Sequence, residues 1–171
     1  NKKIKGLLLA DFFTQTSDRS LLIDYVSSLH NHLPLCDRDY PTDRLLKEYG
    51  LQNKSNLSTK VELRACHNDL NPWNVIVSET KWETIDWEFA GNNDPLFDLV
   101  TLHQGLNLPF NELYELALKF EDGCQTNRIQ ANIKNYWLRE FGWAKHQIKN
   151  GNGRSEIQEQ YDQAQEMLEL V

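Results

Sequence analysis

Apolar residues recur along the chain with two different periods. Leu21, Leu22, Ile23, Val26, Leu29 and Leu33 are spaced as one face of a helix over 21–33, and Pro34 stops it. The stretch 34–60 is polar, with a short helix expected at Asp43–Tyr49 and Gly50 as its C-terminal stop. Val61–Cys66 alternates as a strand does. Val75–Val77 and Trp82–Ile85 read as two more strands, joined by the turn Ser78-Glu79-Thr80-Lys81. After Pro95 the period becomes helical. One helix is predicted over 96–106. A second runs from Pro109 to about Glu121, with Asn107 or Asn111 near its start. A third, long and amphipathic, covers Asn127–Lys149. Gly151-Asn152-Gly153 breaks it, and Ser155–Leu170 closes the chain as a charged helix with one apolar edge. No repeat, low-complexity tract or internal domain boundary appears. The pattern predicts an α+β, mainly helical fold, a single unit over 1–171 with a small β insert.

Composition narrows this little. With 171 residues, 40% hydrophobic and 11% aromatic, one domain can fill a core. No run approaches the roughly 18 apolar residues of a membrane span. The opening Asn1-Lys2-Lys3-Ile4-Lys5-Gly6-Leu7-Leu8-Leu9-Ala10 is only superficially like a signal peptide, because its apolar stretch is short and Asp11 follows at once. The first residue is Asn rather than Met, so the chain is expected to be processed, cut or incomplete. Cys36, Cys66 and Cys124 lie far apart with no Cys-x-x-Cys, which suits a reducing cytoplasm and thiols that act as small apolar fillers. A net charge of -7 argues against a nucleic-acid partner. It agrees weakly with a cationic substrate, and equally with an ordinary acidic surface.

The candidate chemistry surrounds the predicted hairpin. Residues 67–74 read His67-Asn68-Asp69-Leu70-Asn71-Pro72-Trp73-Asn74, and Ile85-Asp86-Trp87-Glu88 follows. Phosphoryl transfer requires Mg²⁺ held against phosphates and an oriented attacking hydroxyl. Mg²⁺ takes oxygen ligands in near-octahedral geometry. Asn74 at the start of one strand and Asp86 at the end of the next converge on such an ion if the strands form a hairpin. Asp69, in the loop entering the hairpin, would then lie beside them as base or orienting group. His67 would brace the loop. Taken singly, each residue has an ordinary reading: a chance His-x-Asp, a turn at Asn71-Pro72 or Asn74, a strand-end cap at Asp86. Their joint arrangement is what points to a phosphotransferase. The competing enzyme reading is a metal-dependent hydrolase with His67, Asp69 and Asp86 as ligands. It wants more His ligands or a nucleophile-activating pair, which the nearby strands lack.

The run Cys66-His67-Asn68-Asp69-Leu70 through Asn74, then Ile85-Asp86-Trp87-Glu88-Phe89-Ala90-Gly91, Asp94-Pro95 and Phe97-Asp98-Leu99, resembles the choline kinase and aminoglycoside phosphotransferase superfamily. Its bacterial choline kinases and thiamine kinases look most similar. Ser28-Leu29-His30 resembles the family's helix after the hinge, and Ile4-Lys5-Gly6, within residues 1–10, resembles the hinge itself. The resemblance is strong over 61–102 and loose elsewhere. It implies the C-terminal lobe of a protein kinase-like fold, with a small β-hairpin insert carrying the catalytic loop. It implies ATP and Mg²⁺ as cofactors, Asp69 as catalytic base, Asn74 and Asp86 as Mg²⁺ ligands, and Asp98 as a hydrogen-bonding support of the loop.

The implied substrate is a small, cationic alcohol: choline, ethanolamine or thiamine, with an aminoglycoside as the alternative. Aromatic faces beside a carboxylate hold such cations well. Tyr136, Trp137 and Trp143, with Trp87 and Glu88, are the candidate contacts. On one long helix, Tyr136, Trp137, Phe141 and Trp143 serve equally well as packing residues. His32, His103 and His146 are read as surface or helix-face residues. One departure from the family is plain. The eight glycines are scattered, and no Gly-rich phosphate loop or strand-borne Lys is found. The nucleotide lobe is therefore expected to be missing and the isolated chain inactive, or to be a non-catalytic lobe that binds a partner.

Overall fold

The computed structural model describes residues 5–52 and 61–171. Ile4 of the expected hinge and the 53–60 part of the polar stretch lie outside the described residues. The elements in order are β1 (Leu7–Leu8), α1 (Leu9–Phe12), α2 (Ser20–His32), α3 (Thr42–Glu48), β2 (Arg64–Cys66), β3 (Val75–Val77), β4 (Trp82–Thr84), β5 (Gly91–Asn93), α4 (Leu96–Gly105), α5 (Phe110–Phe120), α6 (Thr126–Lys149) and α7 (Ser155–Leu170). The predicted helices all form, each within a residue or two of its expected ends. The strand expected from Val61 begins only at Arg64.

Two compact units emerge among the described residues: 5–40 with 61–124, and 41–52 with 125–171. In the first, β3 pairs with β4 in the expected antiparallel hairpin, Val75 opposite Thr84, and β1 joins the other edge of β3. A Cβ on Gly6 would stand 2.4 Å from the Val77 carbonyl oxygen, so glycine is what lets the chain enter alongside β3. A second antiparallel ribbon, β2 with β5, runs Arg64 opposite Asn93 to Cys66 opposite Gly91. Trp82 fastens the hairpin to the helices. Its ring meets Phe12, Phe13 and Tyr25 at centroid distances of 5.6, 6.4 and 5.0 Å, and the Tyr25 hydroxyl hydrogen-bonds the Thr84 hydroxyl.

Helix α4 is the centre of this unit. Every residue from Leu96 to Gln104 is buried. A helix buried all round is apolar where it can be, and its polar members must find partners. Thr101 turns its hydroxyl onto the Phe97 carbonyl at 2.8 Å. At its start, the Asp94 carboxylate accepts the Leu96 N–H at 2.9 Å. Leu22 and Val26 of α2 and Leu113, Leu116 and Ala117 of α5 complete the core around it.

His103, expected on a helix face or surface, is instead fully buried in α4. Gln104 donates to its Nδ1 at 2.9 Å, while Nε2 has no partner among the described residues. Burial, reinforced by the nearby Arg19 charge, holds its pKa down at about 4. The unfolded chain takes up this proton near the ordinary value of about 6.5, and the folded chain does so only near 4. Between those values the unfolded state binds more protons, so stability falls as pH falls. The His103 contribution reaches an upper bound of about 3 kcal/mol at the acid end. Urea midpoints measured from pH 7 to 4 are expected to fall more steeply for the natural chain than for His103→Leu. Parallel slopes would remove this assignment.

In the second unit α6 packs against α3 and α7. Gly142 allows close approach, since a Cβ there would lie 2.6 Å from the Tyr49 ring. The Phe141 and Tyr161 rings pack at 4.9 Å, and Gln160 donates to Glu140 at 2.7 Å. Ile157 and Ala164 form the buried edge of α7, the apolar edge read from its sequence. Among the described residues, no helix is long and apolar enough to cross a membrane.

Candidate active site

The loop 67–74 leaves β2 and enters β3, and it is held from below by Asp98. That carboxylate is completely buried. Its Oδ2 accepts the His67 N–H at 2.9 Å and its Oδ1 the Asn68 N–H at 2.8 Å. His30 Nε2 lies 2.9 Å from the same Oδ2. Asn68 adopts φ +65, a left-handed conformation that Asn tolerates better than most residues. It is fixed there by its side chain, whose Nδ2 donates to the carbonyls of Cys66, Phe89 and Gly91 and whose Oδ1 accepts from Asn93.

His67 joins the loop to the far end of the hairpin. Its Nδ1 accepts the Asp69 N–H at 3.2 Å, and its Nε2 lies 2.9 Å from the Ile85 carbonyl. A carbonyl can only accept, so Nε2 carries the proton and Nδ1 the lone pair. Both nitrogens are thereby spent, and none is left for a metal. This weakens the hydrolase reading, which needs His67 as a ligand.

Asn74 and Asp86 stand at neighbouring positions across the hairpin. The Ile85 N–H donates to the Asn74 carbonyl at 2.9 Å, which extends the ladder one step beyond β3 and β4. The Asn74 Nδ2 donates to the Asp69 backbone oxygen at 2.9 Å and to its Oδ2 at 3.2 Å. Two acceptors on that side assign the amide orientation and turn Oδ1 the other way. No described residue donates to Asn74 Oδ1 or to the Asp86 carboxylate. Asp86 is exposed, and its φ of +61 is a conformation that non-glycine residues keep only when their surroundings impose it. The open donor set is oxygen alone, one amide and one carboxylate, which fits Mg²⁺ and not a thiophilic ion.

The loop also leans on α4. A Cβ on Gly105 would come within 2.5 Å of the Pro72 ring, which cannot swing aside. Trp87 packs edge-on to His67, with ring centroids 4.8 Å apart, and its Nε1 donates to Thr84 at 3.1 Å. Glu88 is exposed. Tyr136, Trp137 and Trp143 belong to the second unit. Tyr136 and Trp137 are 5% and 3% exposed, so neither presents an open face, while Trp143 is half-buried.

Sequence reasoning missed His30 and the Asn68–Asn93 bond. The signal for His30 was present: Leu22, Val26 and His30 form the buried stripe of α2, and a histidine on such a stripe needs a polar partner. His30, Cys66 and Asp98 bring potential ligand atoms within 4.8 Å of one another. Both Asp98 oxygens already accept hydrogen bonds there. Burial, reinforced by the Asp98 and Asp94 charges, pushes the Cys66 pKa up and keeps it a thiol. His30 and Asp98 are bonded to each other, and the Cys66 thiol donates instead to the Arg64 carbonyl.

A profile of the phosphotransferase enzyme family (APH) matches residues 11–143. The LicA protein of Haemophilus influenzae is 37% identical over 126 residues, which cover 73% of this chain and 43% of LicA. The chain thus spans less than half the length of this curated relative. Among solved structures, a choline/ethanolamine kinase family protein from Mesorhizobium loti superposes with TM-score 0.77 at 19% identity, covering 99% of this chain and 67% of that one. The choline kinase LicA from Streptococcus pneumoniae superposes with TM-score 0.71 at 17% identity, covering 96% and 66%. These likenesses give the fold: the kinase-like C-terminal lobe expected from the sequence.

Proposed function

The chain belongs to the phosphotransferase enzyme family, and on that premise we propose that it supplies the hydroxyl-activating and metal-binding side of an ATP-dependent kinase for a small, cationic alcohol. The observation that carries this reading is one juxtaposition. Asn74 Oδ1 and the Asp86 carboxylate are open across a single hairpin, and the Asp69 carboxylate is tied to that same Asn74.

In this reading Asp69 accepts the proton of the attacking hydroxyl and orients it. Asn74 has two tasks: its Nδ2 fixes Asp69, and its Oδ1, with Asp86, would hold Mg²⁺. The ion, when bound, neutralises the phosphate charge that develops during transfer. His67 keeps Asp69 and the Ile85–Asp86 corner in register, and Asp98 holds the loop backbone. Trp87 and Glu88 remain candidate substrate contacts beside the loop, and Trp143 is the half-buried candidate of the second unit. The open faces needed at Tyr136 and Trp137 would require a rearrangement of α6. Both units are read as parts of one lobe.

The test is ADP release by the complete protein with ATP and Mg²⁺ across choline, ethanolamine, thiamine and an aminoglycoside. Turnover with one of the cationic alcohols is expected. Turnover confined to the aminoglycoside would replace the substrate class. ADP release with none of them, together with tight Zn²⁺ binding in the absence of nucleotide, would favour the hydrolase.

A further inference from the structure

The Asp86 corner is strained, and something must hold each side of it. Its upstream side is pinned by the Ile85 N–H to Asn74 and by the His67 ring on the Ile85 carbonyl. Downstream, the turn from Trp87 closes with one backbone bond, Ala90 N–H to Trp87 O, at 3.1 Å. Asn68 adds a second hold at the middle of the turn, its Nδ2 donating to the Phe89 carbonyl at 3.1 Å, and a third comes from a segment further away in sequence. Arg38 donates through Nε to the Ala90 carbonyl at 2.9 Å and through a terminal nitrogen to the Glu88 carbonyl at 2.8 Å.

We propose that Arg38 is a positioning residue for Asp86: its guanidinium fork clamps the turn after this carboxylate and so sets the metal-binding oxygens. The inference rests on the phosphotransfer reading above. Arg38 is exposed, and a lone surface bond to a carbonyl contributes little. This one differs in two respects. It is a rigid two-pronged contact, and its base is fixed. Asn92 bonds the segment that carries Arg38 through five contacts. Its N–H donates to the Arg38 carbonyl and its carbonyl accepts from Tyr40. Its side chain exchanges bonds with the Cys36 backbone and donates to Asp39. The approach is close, since a Cβ on Gly91 would sit 3.1 Å from the Tyr40 nitrogen and 3.3 Å from the Arg38 oxygen. The fork therefore reaches the turn from a segment tied to β5, immediately beyond it. Lysine cannot reproduce this clamp, because an ammonium is a point donor rather than a planar fork.

Three measurements on the complete protein test it, with Arg38→Ala and Arg38→Lys against the unaltered chain. Mn²⁺ affinity in the presence of a non-hydrolysable ATP analogue, read by electron paramagnetic resonance, is expected to weaken about 10- to 100-fold in Arg38→Ala. Arg38→Lys should lie nearer to Ala than to Arg. Amide exchange of the peptide covering 86–90 should accelerate in both variants, with 64–66 unchanged and the melting temperature little moved. Unchanged exchange at 86–90, or unchanged Mn²⁺ affinity beside faster exchange, would overturn the positioning role. Full recovery by Lys would overturn the fork. If the unaltered protein bound no Mn²⁺ with nucleotide, the phosphotransfer reading would fall instead, and the exchange data would still decide whether Arg38 clamps the turn.

Discussion

Replacing Asp69 with alanine is expected to lower turnover of the complete protein by about 10²- to 10⁴-fold, the range typical of a lost general base. The fold should survive. Asp69 is half-buried in a loop. Its Oδ2 accepts from Asn74 Nδ2 at 3.2 Å, while the shorter 2.9 Å bond from the same amide goes to the Asp69 backbone and remains in the variant. A melting temperature within a few degrees of the unaltered protein is therefore expected, together with near-normal Mn²⁺–nucleotide binding, because the open oxygens belong to Asn74 and Asp86. The decisive comparison is kcat against metal affinity. A variant that keeps wild-type turnover refutes the base, and one that loses metal binding in proportion to kcat moves Asp69 from proton transfer to metal binding.

The second large effect is on folding. Asp98→Ala removes the acceptor of two backbone N–H groups and the partner of His30, all inside the core. Each buried polar group left unpaired costs about 1–3 kcal/mol. The sum is a large part of the roughly 5–15 kcal/mol by which a domain is stable. Asp98→Ala is thus expected either to lower the unfolding free energy read from urea titration by several kcal/mol or to prevent accumulation of folded protein. Asp98→Asn keeps the shape and one acceptor, and it should lie between. An unchanged midpoint in Asp98→Ala would mean that the loop amides find other acceptors, and the support assigned to Asp98 would be lost. This effect differs in kind from that of Asp69: one residue is spent on chemistry, the other on holding the chemistry still.

Much of this was legible without coordinates. The helices over 96–106 and 155–170 could be read because apolar spacing is a local property, and the hairpin because two short apolar runs flank a polar turn. The loop from His67 to Asn74 announced its residues by type and spacing. β5 did not announce itself. Gly91-Asn92-Asn93 has no apolar alternation and becomes a strand because β2 lies beside it and Asn92 is tied to residues 36–40. β1 is two residues long, too short to carry any period. His103 was misplaced because periodicity assumes an exposed face, and α4 has none.

The sequence by itself determined which residues could do chemistry and which local elements would carry them, because spacing and side-chain type act over a few residues. Tertiary structure alone decided how those residues are held. His30 meets Asp98 across 68 positions, Asp98 meets His67 across 31, and Arg38 meets Glu88 across 50. Such pairs leave no periodic trace. They exist because closing the core around α4 leaves buried donors and acceptors that must find each other, and the hairpin register sets Asn74 beside the corner that Asp86 turns.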